Sequence, residues 1–137
     1  MTPAVRRIVA VLVACIAAFV VVNLLEHLAQ QVSMPPGLDP TNATQVEQAL
    51  ERGEFPFASL ALVVAGWLLA AYVGSRIAMR IDRSRVAPLI FTVLFTVKNI
   101  HYLSLFPHPT WMWIAAVLAV PLVAMGAAGE SITVRGI

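Results

Sequence analysis

Four long apolar runs, separated by short polar segments, dominate the chain. Residues 8–25 run 18 positions without a formal charge, residues 57–75 run 19, residues 86–106 run 21 with one lysine, and residues 111–128 run 18. A helix rises about 1.5 Å per residue, so roughly 20 apolar residues cross a hydrocarbon core of about 30 Å. Inside that core backbone amides have no water to bond, so each run must be helical. The alternation of apolar and polar positions expected of a membrane barrel strand is absent. The pattern predicts an all-α membrane protein, a four-helix transmembrane bundle in one domain over 1–137. Its spans are expected near 8–27, 57–75, 86–106 and 111–128, with an outer loop over 30–56.

That loop is predicted to carry a short amphipathic helix. Met34-Pro35-Pro36-Gly37 must be extended or turned, because proline excludes the helical conformation of the residue before it. Asp39 and Pro40 then suit an N-cap and a first helical position. Val46, Ala49 and Leu50 share one face of the turns that follow, and Gly53 suits a C-terminal stop. The helix is expected over 40–52, its apolar side toward lipid or the bundle.

Composition narrows the class. The chain is 60% hydrophobic and only 12% charged, with a mean hydropathy of +0.85, which excludes a water-soluble globule, a disordered tail and a disulfide-stapled domain. One cysteine, Cys15, permits neither an internal disulfide nor a four-thiolate metal site. Leu12-Val13-Ala14-Cys15 has the form of a lipoprotein box, but only four apolar residues separate it from Arg7 and ten follow the cysteine. Arg6-Arg7 before an apolar stretch also resembles a secretory signal, but no small-x-small cleavage site precedes a polar start, so an uncleaved anchor is expected.

The placement of charge predicts orientation. Arg6, Arg7, Arg76, Arg80, Arg83, Arg85 and Arg135 lie at one side of the spans, Arg52 alone at the other, and Lys98 inside the third. Under the positive-inside rule both termini and the segment between spans two and three are cytoplasmic. The partner this composition demands is the lipid bilayer. No basic stripe with interleaved aromatics exists outside the apolar runs, so no nucleic-acid partner is expected.

Gly66, Ala70, Gly74 and Ala78 recur at a spacing of four in the second run, giving a smooth helix face along which another backbone can approach. Its partner is either another span of this chain or a second copy. Pro121 interrupts the fourth run and predicts a kink near Leu118.

Polar groups concentrate in one layer. Asn23, Glu26 and His27 share a face of the first span, since positions i, i+3 and i+4 do. Lys98, His101 and Tyr102 repeat that spacing in the third span, with Asn99 beside them. From a cytoplasmic edge at residues 8 and 86, Asn23 and His101 lie roughly 22 Å up, Lys98 roughly 18 Å and Glu26 roughly 27 Å. Lysine side chains snorkel upward, so Lys98 is expected to meet Glu26 if the two spans are neighbours. His108, between spans three and four, caps the same side. Three uses compete for this layer. It fixes helix register, or it forms a binding or proton-handling site open to the outside, or His27, His101, His108 and Glu26 hold a metal. No paired-histidine spacing supports the last, and neither a metal nor a cofactor is expected.

Pro35-Pro36-Gly37-Leu38-Asp39-Pro40, the Gly66/Gly74 stripe and Pro107-His108-Pro109-Thr110-Trp111 resemble a group of small, uncharacterised four-span bacterial inner-membrane proteins. The resemblance covers about 23–128. It implies a bacterial inner membrane and an ordered outer loop, and it supplies no active site. Gly-rich phosphate loops, paired aspartates, Cys-x-x-Cys and Gly-x-Ser-x-Gly are all missing. The expected function is non-enzymatic, working through helix association along the stripe, either as a homo-oligomer or as an accessory subunit of a larger membrane complex. The alternative is an oligomeric transporter of a small solute, ion or proton through the Glu26/Lys98 layer. A lipid- or quinone-directed enzyme is a third class, lacking a recognisable pocket.

Overall fold

A computed structural model describes residues 1–133 and is all-helical over them; Arg135 lies outside the described residues. Helix α1 covers Pro3–Ser33, α2 Ala43–Glu51, α3 Phe57–Asp82, α4 Val86–Leu105, α5 Thr110–Ile114 and α6 Val120–Thr133, with a π-helical turn, Ala115–Ala119, joining the last two. Four stretches are long and apolar enough to cross a membrane: Pro3–Val32, Phe57–Asp82, Val86–Leu105 and Thr110–Glu130.

Helix ends follow capping chemistry. Thr2 Oγ1 accepts from Val5 N at 3.3 Å with Pro3 in the first helical turn, while α1 ends where Met34 turns extended before Pro35. The charged segment after residue 75 continues α3 to Asp82 instead of breaking it. There Arg83 adopts a left-handed conformation, φ 60°, and its N–H bonds Met79 O.

The spans pack as a bundle in which α1 and the fourth span each rest on both α3 and α4. The small-residue stripe explains the closeness. Gly66, Ala70, Gly74 and Ala78 are all buried inside this chain. Gly66 lies under Leu25 of α1 and Gly74 under the ring of Phe91 of α4. Of the two expected partners for the stripe, the structure selects this chain's own spans. Facing it, α1 buries Ala10, Ala14, Ala18 and Val22, and the fourth span buries Met112, Ala116, Val120 and Ala124. All three elements thus use a spacing of four. Trp67, Phe91, Leu103, Met112 and Val120 are the largest fully buried apolar side chains.

Pro121 distorts its span as the sequence requires, in a specific form. The π turn lets Val120 N–H bond Ala115 O, five residues back, so the ladder widens one turn ahead of the proline. Ser75 Oγ of α3 donates to Ala124 O of α6 at 2.5 Å inside the core.

At the basic end, Asp82 is 1% exposed and takes Arg7 Nε at 3.5 Å and Arg6 Nε at 4.0 Å as ion pairs; the Ser84 hydroxyl donates to its carboxylate. Glu130 of α6 pairs with Arg76 at 3.5 Å and accepts from the Tyr72 hydroxyl at 3.3 Å.

At the opposite, loop end, α2 begins later than expected. Asp39 spends its carboxylate on Thr41, accepting from its N–H at 2.9 Å and its hydroxyl at 2.7 Å. Asn42 caps instead, its side chain accepting from Gln45 N at 3.3 Å. Both residues are good caps, and the carboxylate closed the nearer turn first. The helix stops at the expected glycine. Gly53 has φ +65°, its N–H bonds Leu50 O and the Glu54 N–H bonds Ala49 O, the paired closure that a left-handed residue permits.

Candidate functional site

The loop end encloses a chamber of about 260 Å³. α1 reaches past the end of α4 and contributes Glu26, Ala29 and Gln30; α3 contributes Ser59, Leu60 and Val63 from its first turns. Tyr102 and Phe106 come from the end of α4, His108 and Met112 from the turn into α5 and from α5 itself. α2 closes the remaining side with Ala43, Val46 and Leu50. Its apolar face therefore turns to the bundle, with Ala49 2% exposed. Exposed Gln30, Pro40 and Thr41 stand at the rim.

Glu26 is half-buried on this wall. Its carboxylate accepts no hydrogen bond among the described residues and has no cation within 4.0 Å. It lies in the field of Lys98, and its own charge acts on the Tyr102 hydroxyl. The expected neighbourhood of Glu26 and Lys98 thus holds at the range of an electrostatic interaction and not at that of an ion pair.

The reason is where Lys98 goes. Its side chain stays on the exposed surface of α4, with Nζ 5.7 Å from the ring centres of both Phe95 and Tyr102 and donating to Asn99 Oδ1 at 3.3 Å. Two aromatic faces and an amide oxygen hold the ammonium. Tyr102 separates it from the chamber.

Tyr102 is the hub. Its ring meets Trp67 edge-on at 6.0 Å and 85°, and lies 5.3 Å from the ring of His108. His108 Nδ1–H donates to Phe106 O at 2.9 Å. Beneath, Trp67 and Asn99 are fully buried, and Trp67 Nε1 and Asn99 Nδ2 have no hydrogen-bond partner among the described residues.

The other expected members of the layer are not gathered here. Asn23 is exposed and donates to Phe19 O of its own helix at 2.8 Å. His27 is exposed and pairs with Gln31 at 2.9 Å. His101 is exposed on α4. Helical spacing placed these groups on neighbouring faces, but of the expected α1 and α4 members only Glu26 and Tyr102 line the chamber, while Asn23, His27 and His101 lie exposed. The metal alternative needs His27, His101 and His108 together, and among the described residues no three histidine, cysteine or carboxylate side chains gather.

Sequence reasoning missed two features. Asp82 lies in a segment read only for its arginines, where it is the one acid between Arg76 and Arg85. The chamber's α3 wall also escaped it, since Ser59, Leu60 and Val63 become neighbours of Glu26 only through tertiary packing. No protein-family model matches the chain, and no curated protein or solved structure matches it either.

Proposed function

We propose that the chain is a small multi-pass protein of the bacterial inner membrane, termini in the cytoplasm, that works by binding and not by catalysis. Its working part is the chamber at the loop end, which then faces outward. The observation that carries this reading is the Glu26 carboxylate, half-buried on an aromatic and aliphatic wall with no hydrogen bond and no ion pair of its own among the described residues. Ionisable groups inside spans are costly and as a rule serve function, and a concave, mostly apolar cavity with a few convergent polar groups is the usual form of a small-ligand site. The packed middle of the bundle, Trp67 and Phe91 above all, fits a site entered and left from one side better than a through-passage.

Cysteine accessibility tests it. In a Cys15→Ala background, Ser59→Cys should react with a small membrane-impermeant methanethiosulfonate added to right-side-out membrane vesicles, and Arg83→Cys should not. Reaction at position 83 alone reverses the orientation; failure of Ser59→Cys to react from either side removes the chamber.

The association reading moves from the stripe, which is packed within the chain, to α4. Lys98 and His101 lie exposed among Leu94, Val97 and Leu105 on one surface of that span, an uncovered polar pair in an apolar face. A cysteine at Leu94 should then cross-link to a second copy or a partner subunit in native membranes; an exclusively monomeric product refutes it.

A further inference from the structure

We infer that the chamber binds a lipophilic ammonium, an amphiphile whose cationic nitrogen is taken by Glu26 while its apolar body lies against the chamber wall. The inference rests on the chamber reading above and assigns its ligand class. The polar inventory decides the sign. When ionised, Glu26 can only accept, and His108 has committed its Nδ1–H to Phe106 O. The hydroxyls of Thr41, Ser59 and Tyr102 and the amide of Gln30 serve either way, and among the described residues no lysine or arginine lines the cavity. An anion would meet the carboxylate directly, with the positive charge of Lys98 acting only from behind Tyr102. A cation meets that carboxylate together with the rings of Tyr102 and Phe106, whose faces attract positive charge.

The remaining wall decides the body. Met34, Leu60, Val63 and Met112 are flexible or branched apolar groups, and methionine adapts to irregular apolar shapes. Such a lining suits an alkyl chain better than a rigid polar cation such as a hydrated metal. At about 260 Å³ the cavity is at the small end for ligand sites, which run from about 300 Å³ upward, so it admits one chain and one headgroup.

Lys98 gives the inference its sharpest consequence. It stands behind Tyr102, outside the chamber, and its charge opposes any cation beside Glu26. Removing that charge must strengthen binding of an ammonium and weaken binding of an anion.

Two sources carry this chemistry, a free alkylamine and the ammonium headgroup of an aminophospholipid. The test uses the full chain in dodecyl maltoside micelles, which bring neither charge nor amine. Decylammonium is titrated against decanol, with tryptophan fluorescence and thermal midpoint as readouts. The parent should show a saturable response to decylammonium and none to decanol. Glu26→Gln should bind about tenfold more weakly or worse, the loss of one charge-assisted contact. Glu26→Asp, which keeps the charge if Glu26→Gln fails to fold, should retain binding, and Lys98→Met should bind several-fold more tightly. Competition by added phosphatidylethanolamine assigns the site to a lipid headgroup, and its failure to compete assigns it to a free amine. Equal responses to decylammonium and decanol, or an unchanged affinity in Glu26→Gln, overturn the inference. If Ser59→Cys still reacts with the methanethiosulfonate in the same micelles, the chamber survives and only its ligand class falls.

Discussion

Gly74 has no room for a methyl group. A Cβ built there would lie 2.2 Å from Cζ of Phe91 and 2.8 Å from both Cε atoms. Phe91 is fully buried and stacked on Phe95 at 5.5 Å and 16°, so the ring cannot swing away without disturbing a second one. Gly74→Ala should therefore destabilise the bundle by about 1–3 kcal/mol, the usual cost of overpacking, in unfolding titrations with SDS in mixed micelles. Gly126, on the exposed side of α6, meets nothing within 4 Å. Gly126→Ala should be neutral or gain up to about 1 kcal/mol from helix propensity. Equal effects at the two sites would show that propensity, and not the ring, governs both. At the loop end the informative residue is Asp39. The side-chain and backbone hydrogen bonds from Thr41 hold its carboxyl below the usual carboxylate value. A lowered folded value means that the turn's contribution is complete above the unfolded pKa, about 3.9, and is lost as pH falls through the folded one. A carbon-13 titration of the Asp39 carboxyl should give a midpoint below that reference, and Thr41→Ala should bring it back up.

At the scale of elements, the spacing of four does the packing, and it has a geometric cost. A helical turn takes about 3.6 residues, so each step of four overshoots by roughly 40°. α3 accommodates the drift by burying adjacent pairs, Ala70 with Ala71, Gly74 with Ser75, Ala78 with Met79. The fourth span does it with the π turn, whose wider winding keeps Met112, Ala116, Val120 and Ala124 toward the core. Ser75 then ties the two spans through Ala124 O. Ser75→Ala should cost about 0.6–1 kcal/mol, the scale of an interhelical hydrogen bond in a membrane, by the same SDS titration; a loss above about 2 kcal/mol would mean that the hydroxyl also holds the π turn. How much of this was legible follows from the same geometry. Hydropathy located all four spans because burying a backbone in lipid leaves no other choice. It misjudged their ends: α3 runs on to Asp82 and α1 to Ser33, since caps and prolines, not loss of hydropathy, stop a helix. The α3 stripe stood out through its glycines, whereas Ala10, Ala14 and Ala18 hid in an apolar run although their spacing is identical. For the site, i, i+4 spacing grouped Asn23, Glu26 and His27 correctly on one helix, but which of them turns inward depends on the neighbour's rotation, which no single span encodes. Glu26 and Tyr102 were therefore readable as candidates, and the chamber they share was not.

Across the whole molecule the two ends differ in how they are closed. The loop end is held by backbone caps and by the apolar face of α2, and it leaves a chamber. The basic end is held by charge, with Asp82 joining the start of α1 to the turn between α3 and α4 and Glu130 joining α6 to α3. Asp82→Asn isolates that clasp, because it leaves every Lys and Arg in place and so leaves the determinants of orientation unchanged. Asparagine can still accept from Ser84, so what is lost is the charge. Arg6 and Arg7 are 40% and 39% exposed, and their attraction is partly screened, so the loss should be about 1–2 kcal/mol. Asp82→Ala, which also strips Ser84 of its acceptor, should cost about 1 kcal/mol more. Arg7→Gln should exceed Arg6→Gln, since Arg7 approaches to 3.5 Å and Arg6 only to 4.0 Å. The signature of a charge clasp is its response to salt. At about 1 M the screening length falls to about 3 Å, so the gap between the parent and Asp82→Asn should narrow there, while the gap for Ser75→Ala, a neutral bond in the core, should not. A parent-to-Asp82→Asn difference that stays constant from low to high salt would mean that screened attraction to Arg6 and Arg7 is not what the substitution removes, and the charge clasp would fall.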